Sequence, residues 1–285
     1  MKGGTLITGA TGFIGRHLAE FLGRQVEGEI IRASRTAKDG VVRIDLGDPD
    51  ETRHVVGRIR PTRIFHCAGA FTNNWESDFP ANVEWTRSLL EAVRALVPAC
   101  RVLLIGSAAE YGNPPAGAVT ETVPLRPVNV YGMTKAMQTM LMEYFNRSCG
   151  MDIVMARTFN LFGPGCPPNL FPGRVAEQIE RVRCGLQEKI ELCSLNSRRD
   201  YLHISDAVRA YARIMEHGRA GEIYNVGSGA PVKMYDLLQK ILQEAGLPTA
   251  NVASSAEHHS KTNVPEIYAD IRKLNALTEV GVIKK

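Results

Sequence analysis

Six cysteines are spread through this 285-residue chain, and no two of them are spaced Cys-x-x-Cys. They are Cys67, Cys100, Cys149, Cys166, Cys184 and Cys193, and no histidine stands by them at metal-ligand spacing. The pattern supports neither a zinc site nor a disulfide frame, and no metal site is expected. No charged leader runs into an apolar core, and no apolar run is long enough to cross a bilayer. A reduced cytoplasmic protein without a membrane partner is the expectation. Runs of five basic residues are missing too, and the net charge of +4 is dispersed. The aromatics, 7% of the chain, do not interleave with basic clusters. Nucleic acid is therefore not an expected partner, whereas an anionic small molecule suits the charge. Internal repeats and low-complexity segments are absent.

What is present is an ordinary globular composition, 44% hydrophobic and 22% charged, in a chain long enough for a large domain and a small one. Apolar, β-rich runs occur at Thr5–Thr8, Glu29–Ala33, Val41–Ile44, Arg63–His66, Arg101–Ile105 and Ile153–Arg157. Helical stretches separate them at Gly15–Leu22, Asp50–Arg60, Asn82–Leu96 and Lys135–Cys149. Such alternation predicts βαβ crossovers and an α/β fold with a doubly wound parallel sheet of Rossmann type. Ligands of these sheets sit beyond the carboxyl ends of the strands. After Gly163-Pro164-Gly165 the texture changes. Helices are expected at about Arg174–Cys184, Ser205–His217 and Met234–Glu244, with strands at Tyr201–Ile204 and Glu222–Val226.

Thr8-Gly9-Ala10-Thr11-Gly12-Phe13-Ile14-Gly15 ends the first strand and opens the first helix. Gly9 permits a tight turn, Gly12 lets the backbone approach a pyrophosphate, and Gly15 lets the helix pack closely on the strand. The helix start then offers free N–H groups and a positive dipole end to phosphate. Gly9, Thr11, Gly12, Phe13, Ile14 and Gly15 are accordingly candidates for dinucleotide binding. An acid at the end of the second strand would hold an NAD ribose, but Ile30-Ile31-Arg32-Ala33-Ser34-Arg35 has none. Arg32, Ser34 and Arg35 suit a 2′-phosphate, so NADP(H) is favoured, with NAD(H) as the alternative.

Tyr131-Gly132-Met133-Thr134-Lys135 places a tyrosine and a lysine four apart, on one helix face. A phenol titrates near pH 10, and a fixed ammonium beside it favours the phenolate. The pair stands about 120 residues after the glycine turn and follows Ser107-Ala108-Ala109-Glu110-Tyr111-Gly112. Together these segments resemble the extended short-chain dehydrogenases/reductases, whose signatures are Gly-x-x-Gly-x-x-Gly, Ser/Thr-x-x-x-Tyr-Gly and Tyr-x-x-x-Lys. The resemblance implies that Tyr131 is the acid/base and that Lys135 binds the nicotinamide ribose and lowers the tyrosine pKa. Ser107 would then steady the oxygen that gains charge. It further implies adenine contacts from Asp45 and Leu46, and cofactor contacts from Ala68 and Gly69. His66 reads as structural.

The resemblance extends to Leu274. Arg157-Thr158-Phe159-Asn160-Leu161-Phe162-Gly163-Pro164 and Arg199-Asp200-Tyr201-Leu202-His203 are similar to motifs of members that act on nucleotide sugars. By that likeness Asn160 contacts the sugar and Arg199 the diphosphate, with Asn169 and Arg174 as further candidates. Ala108 is a candidate substrate contact, and Glu110 either bonds a sugar hydroxyl or is a polar surface side chain. Dehydratases carry an acidic pair where Ala108 and Ala109 stand, so elimination of water is not implied. An epimerase/reductase histidine is replaced by Gly165, and Ser260-Lys261 replaces the Arg-Pro of guanine-sugar relatives. What the likeness implies is NADPH-dependent reduction of a nucleotide-linked 4-keto-6-deoxyhexose, with a GDP-sugar as the guess. The alternatives are an NAD-dependent C4-epimerase and a non-catalytic NADP(H)-binding member. Residues 1–165, with later segments around 200–226, would form the cofactor domain, and 166–285 mainly a substrate lobe. A homodimer through a four-helix interface is expected. Asp270-Ile271-Arg272-Lys273-Leu274 resembles a family motif after which relatives continue with a long helix, and with eleven residues left that helix is not expected here.

Overall fold

The computed structural model describes residues 3–25, 28–36, 38–192, 195–247, 252–254 and 264–277. Fourteen strands are seen among them: β1 Thr5–Thr8, β2 Ile30–Ser34, β3 Val41–Arg43, β4 Arg63–His66, β5 Arg101–Ser107, β6 Ala118–Val119 and β7 Ile153–Thr158. They continue with β8 Asn160–Phe162, β9 Ile190–Leu192, β10 Arg198–His203, β11 Ile223–Val226, β12 Pro231–Lys233, β13 Val252–Ser254 and β14 Glu266–Ala269. The α-helices are α1 Phe13–Gly23, α2 Pro49–Ile59, α3 Trp75–Phe79, α4 Trp85–Leu96 and α5 Val130–Cys149, followed by α6 Phe171–Arg183, α7 Ile204–His217, α8 Met234–Glu244 and α9 Arg272–Asn275.

Seven strands pair in the order β11-β7-β5-β4-β1-β2-β3, every pair parallel. This is the doubly wound α/β sheet of Rossmann type expected above. Its strands are apolar on both faces because helices cover both. Leu6 and Ile7, adjacent on β1, are fully buried in different core clusters, Leu6 with Val55, Leu89 and Val93 of α2 and α4, and Ile7 with Leu18 of α1 and Tyr211 of α7. The chain order reverses at β1, between β2 and β4, so the ends of β1, β4 and β5 open onto one crevice.

A second sheet runs β12-β10-β14-β6, with β8 pairing β10. A separate apolar cluster joins Val175 and Ile179 of α6 to Ile190 of β9 and Leu238 and Leu242 of α8. These elements include β6, β8, β9 and β12–β14, for which the sequence pattern gave no expectation; they are short and are held by distant partners. The helix expected over Asn82–Leu96 starts instead with a π-turn at Pro80–Glu84 and becomes α4 at Trp85. α5 starts at Val130, five residues before Lys135, because Asn129 caps it by accepting from the Gly132 N–H at 2.7 Å. Ser260-Lys261 and residues 278–285 lie outside the described residues.

Candidate active site

Gly9 takes a positive φ of 65°, and its carbonyl accepts from the Gly12 N–H at 3.0 Å, which closes the turn. A Cβ on Gly15 would stand 2.2 Å from the Gly9 oxygen, so only glycine lets α1 start this near β1. Gly12 is the N-cap of α1, and the amides that follow have no intrahelical acceptor. Gly12, Phe13, Ile14 and Gly15 line a cavity of about 550 Å3. The narrow glycine cradle and the outward amides fit a dinucleotide pyrophosphate.

The same cavity is lined by Ser107, Tyr131 and Lys135. Ser107 ends β5 and caps the 3-10 turn Ala108–Tyr111, its Oγ accepting from the Ala109 N–H at 3.2 Å. Tyr131 and Lys135 come from consecutive turns of α5, with the ammonium 6.0 Å from the ring centroid. Lys135 Nζ donates to the Ile105 carbonyl at 2.9 Å and to Gln138 Oε1 at 3.1 Å. That leaves one of its three donors for the cavity. Burial pulls the lysine pKa down to about 8, against the charges of Glu110, Cys67 and Asp78.

Tyr131 departs from the sequence expectation. Burial pushes its pKa up to about 12, with Glu110 and Asp78 adding to the rise, while a hydrogen bond with Ser107 acts the other way. Desolvation of the phenolate outweighs the pull expected from Lys135, whose ammonium stands off by a full helix turn. At neutral pH the tyrosine is a protonated acid.

Glu110 is neither a sugar contact nor a surface side chain, and both expectations for it are corrected here. Its side chain is fully buried and pairs with Arg157 at 2.9 Å. Oε1 accepts from the Ser107 N–H at 2.7 Å, and Oε2 from the Thr139 hydroxyl at 2.6 Å. Arg157 also donates to the Tyr111 hydroxyl at 3.0 Å, and that hydroxyl donates to Asn225 Oδ1 at 2.7 Å. A carboxylate in the apolar interior needs such partners, and they turn it away from the cavity.

His66 is fully buried between the hydroxyls of Thr8 at 2.8 Å and Thr86 at 3.1 Å. The Thr86 hydroxyl donates to the Asn82 carbonyl and accepts from Gln138 Nε2, so His66 must donate to it through Nε2. Burial holds the imidazole neutral, with its pKa near 3, and Lys135 adds to the effect.

Of the other candidates, Ala68, Gly69, Ala108, Asn160, Asn169 and Arg199 line the cavity. Asn160 donates to the Asp200 carbonyl at 3.0 Å, and Asn169 to the Phe71 carbonyl at 3.1 Å. Arg199 donates to the Arg198 carbonyl at 2.9 Å and forms no ion pair among the described residues. The cavity wall does not include Thr11, Arg32, Ser34, Arg35, Asp45 or Leu46. Arg32 and Arg35 are exposed at the end of β2, Arg35 lying over the Trp85 ring at 5.3 Å. Ser34 donates to the Thr36 carbonyl at 2.7 Å, Asp45 accepts from the Gly47 N–H at 3.0 Å, and Leu46 is buried. Arg174 is exposed on α6 and is not in the cavity wall either.

Several residues around the site were missed by sequence reasoning. Asn82, Gln138 and Thr139 are fully buried polar side chains on helices, at positions where an apolar residue is the default. That mismatch was the available signal.

Glycine cradle, Ser-Tyr-Lys cluster and parallel sheet define an NAD(P)-dependent enzyme of the extended short-chain dehydrogenase/reductase type. The chain belongs to the NAD dependent epimerase/dehydratase family, which it matches over residues 5–227. GDP-6-deoxy-D-mannose reductase of Pseudomonas aeruginosa is 30% identical over 244 residues, 82% of this chain and 77% of that protein. dTDP-6-deoxy-L-talose 4-dehydrogenase (NAD(P)(+)) of Kitasatospora kifunensis is 30% identical over 253 residues, 85% of this chain and 79% of its own length. The solved structure of RMD from Pseudomonas aeruginosa complexed with NADPH superposes with a TM-score of 0.82 at 26% identity. The match covers 98% of this chain and 93% of that one. The chain is thus similar to enzymes that modify nucleotide sugars.

Proposed function

We propose that this enzyme is a cytoplasmic NADPH-dependent reductase of a nucleotide-linked 4-keto-6-deoxyhexose, a GDP-sugar being the first candidate. The observation that carries the proposal is the cavity wall at Ser107-Ala108-Ala109, facing Tyr131 and Lys135. Elimination of water would require an acid and a base where the two alanines stand, so these side chains support hydride transfer at C4 rather than elimination. When bound, NADPH supplies the hydride that adds to the sugar C4. The Tyr131 hydroxyl gives its proton to the developing alkoxide oxygen, and Ser107 donates a hydrogen bond to the same oxygen. A carbonyl becomes a secondary alcohol, and Tyr131 regains its proton from water. The missing acid and the two arginines at the end of β2, which suit NADPH, support reduction over an NAD-dependent C4-epimerase.

Arg199, free of any carboxylate among the described residues, supplies a planar cation for the substrate diphosphate. Asn160 and Asn169 would flank the sugar, and the segments around α6 and α8 would form the substrate lobe. Arg32 and Arg35 would hold the cofactor 2′-phosphate, as the NADPH complex of the similar reductase supports. Met133, Met140 and Tyr144 are exposed along α5, which supports a homodimer through α4 and α5. Sedimentation of the purified protein at dimer mass is expected.

The test of substrate class is a thermal-shift panel of GDP, UDP, dTDP and CDP with NADPH present, followed by ketosugar reduction read as NADPH absorbance. Stabilisation by GDP and net NADPH oxidation are expected. Tightly bound NAD after purification, with no net NADPH consumption, would favour the epimerase instead.

A further inference from the structure

The loop between β4 and α3 supplies no reacting group, although Ala68 and Gly69 line the cavity, and it is fastened to the site residue by residue. The Ala70 N–H donates to Asn82 Oδ1 at 3.0 Å, and Asn82 Nδ2 returns a bond to the Ala70 carbonyl at 3.0 Å. The Phe71 ring lies 4.5 Å from the Tyr131 ring, centroid to centroid. Thr72 donates to Asp78 Oδ1 through its N–H at 2.9 Å and its hydroxyl at 2.8 Å. The Asn73 N–H donates to Asp78 Oδ2 at 2.9 Å. Asp78 itself is fully buried.

Asn73 is one of two described non-glycine residues with positive φ, at 59°. Asparagine tolerates that region better than most side chains, and here the three bonds to Asp78 hold it there. This conformation delivers Asn73 Oδ1 to the Val130 N–H at 3.0 Å and the Tyr131 N–H at 3.4 Å. Both amides belong to the first turn of α5, where no intrahelical acceptor exists. The side chain of the N-cap Asn129 accepts from Gly132 and not from Tyr131, so the amide of Tyr131 depends on a residue 58 positions upstream. The Tyr131 carbonyl is fixed as well, accepting from the Thr134 hydroxyl at 2.9 Å.

We propose that Asn73, locked in place by Asp78, is the positioning residue for Tyr131, fixing the first turn of α5 and so the direction of the phenol into the cavity. The proposal rests on the reading of Tyr131 as proton donor. Two substitutions separate the acceptor from the backbone conformation. Asn73→Gly keeps the left-handed conformation and removes the acceptor, whereas Asn73→Asp keeps an acceptor oxygen in the same place.

Amide hydrogen exchange reads the cap without any chemistry. In Asn73→Gly the amides of Val130 and Tyr131 should exchange about tenfold faster or more, with those of β7 unchanged. NADPH affinity, followed by its fluorescence, should hold, while kcat for NADPH-dependent reduction of GDP-4-keto-6-deoxymannose falls about tenfold or more. Asn73→Asp should restore both protection and kcat. Unchanged protection in Asn73→Gly would overturn the proposal, and so would lost protection with full kcat. Full turnover by Tyr131→Phe would overturn the proton-donor reading itself, a failure distinguishable because the exchange results would be unaltered.

Discussion

Glu110 and Arg157 meet at 2.9 Å with side chains 0% and 1% exposed, and the carboxylate of that pair also accepts the Ser107 N–H. Thr139 of α5 donates to the same group, so one ion pair ties the end of β5, the helix of Tyr131 and β7 together. A buried pair of this kind gives little net stability over an apolar filling, because desolvation of both charges offsets their attraction. Its use here is geometric: it holds the backbone of Ser107 against the helix that carries Tyr131 and Lys135.

Removing one partner should therefore be worse than removing both. Arg157→Met leaves an uncompensated carboxylate in the core and should lower the unfolding free energy by about 3–5 kcal/mol in urea denaturation. The double variant Glu110→Met with Arg157→Met should lose much less than the sum of the two single losses. Additive losses would contradict the account.

His66 predicts acid sensitivity. Its pKa falls from 6.5 to about 3 in the fold because burial disfavours the imidazolium. Between those values the unfolded chain binds the extra proton, so this stability is complete above pH 6.5 and is lost as pH falls toward 3. At pH 5 the loss is about 2 kcal/mol. Replacing the ring by His66→Asn should flatten the decline in melting temperature between pH 7 and pH 5. An unchanged slope would place the acid sensitivity elsewhere.

Lys135 predicts a proton taken up with the cofactor. Burial lowers its pKa to about 8, so near that pH about half of the free enzyme carries a neutral amine. A bound nucleotide phosphate and ribose favour the ammonium, which moves the equilibrium toward the charged form. Calorimetry of NADPH binding at pH 8 in buffers of different ionisation enthalpy should show uptake of up to roughly half a proton. Lys135→Met should show none, and equal uptake by both proteins would refute the assignment.

What was legible in the sequence was local. Gly9, Gly12 and Gly15 act within one turn, and Tyr131 and Lys135 within one helix, so spacing alone brings each set together. The alternation of apolar runs and helical stretches marked the parallel sheet for the same reason. Glu110 was misread because its partner Arg157 lies 47 residues away on another strand. Asn73 was invisible because its meaning depends on a left-handed backbone and on a helix 57 residues downstream. The start of α5 was misplaced because an asparagine cap, not helix propensity, decides where that helix begins.

The central claim is that Tyr131 delivers a proton to a sugar carbonyl as hydride arrives. Single-turnover reduction of GDP-4-keto-6-deoxymannose by NADPH, comparing the native enzyme with Tyr131→Phe, tests it most directly. The account predicts that the variant binds NADPH with native affinity and that its rate of NADPH oxidation falls by about 100-fold or more. A variant that oxidises NADPH at the native rate would contradict it.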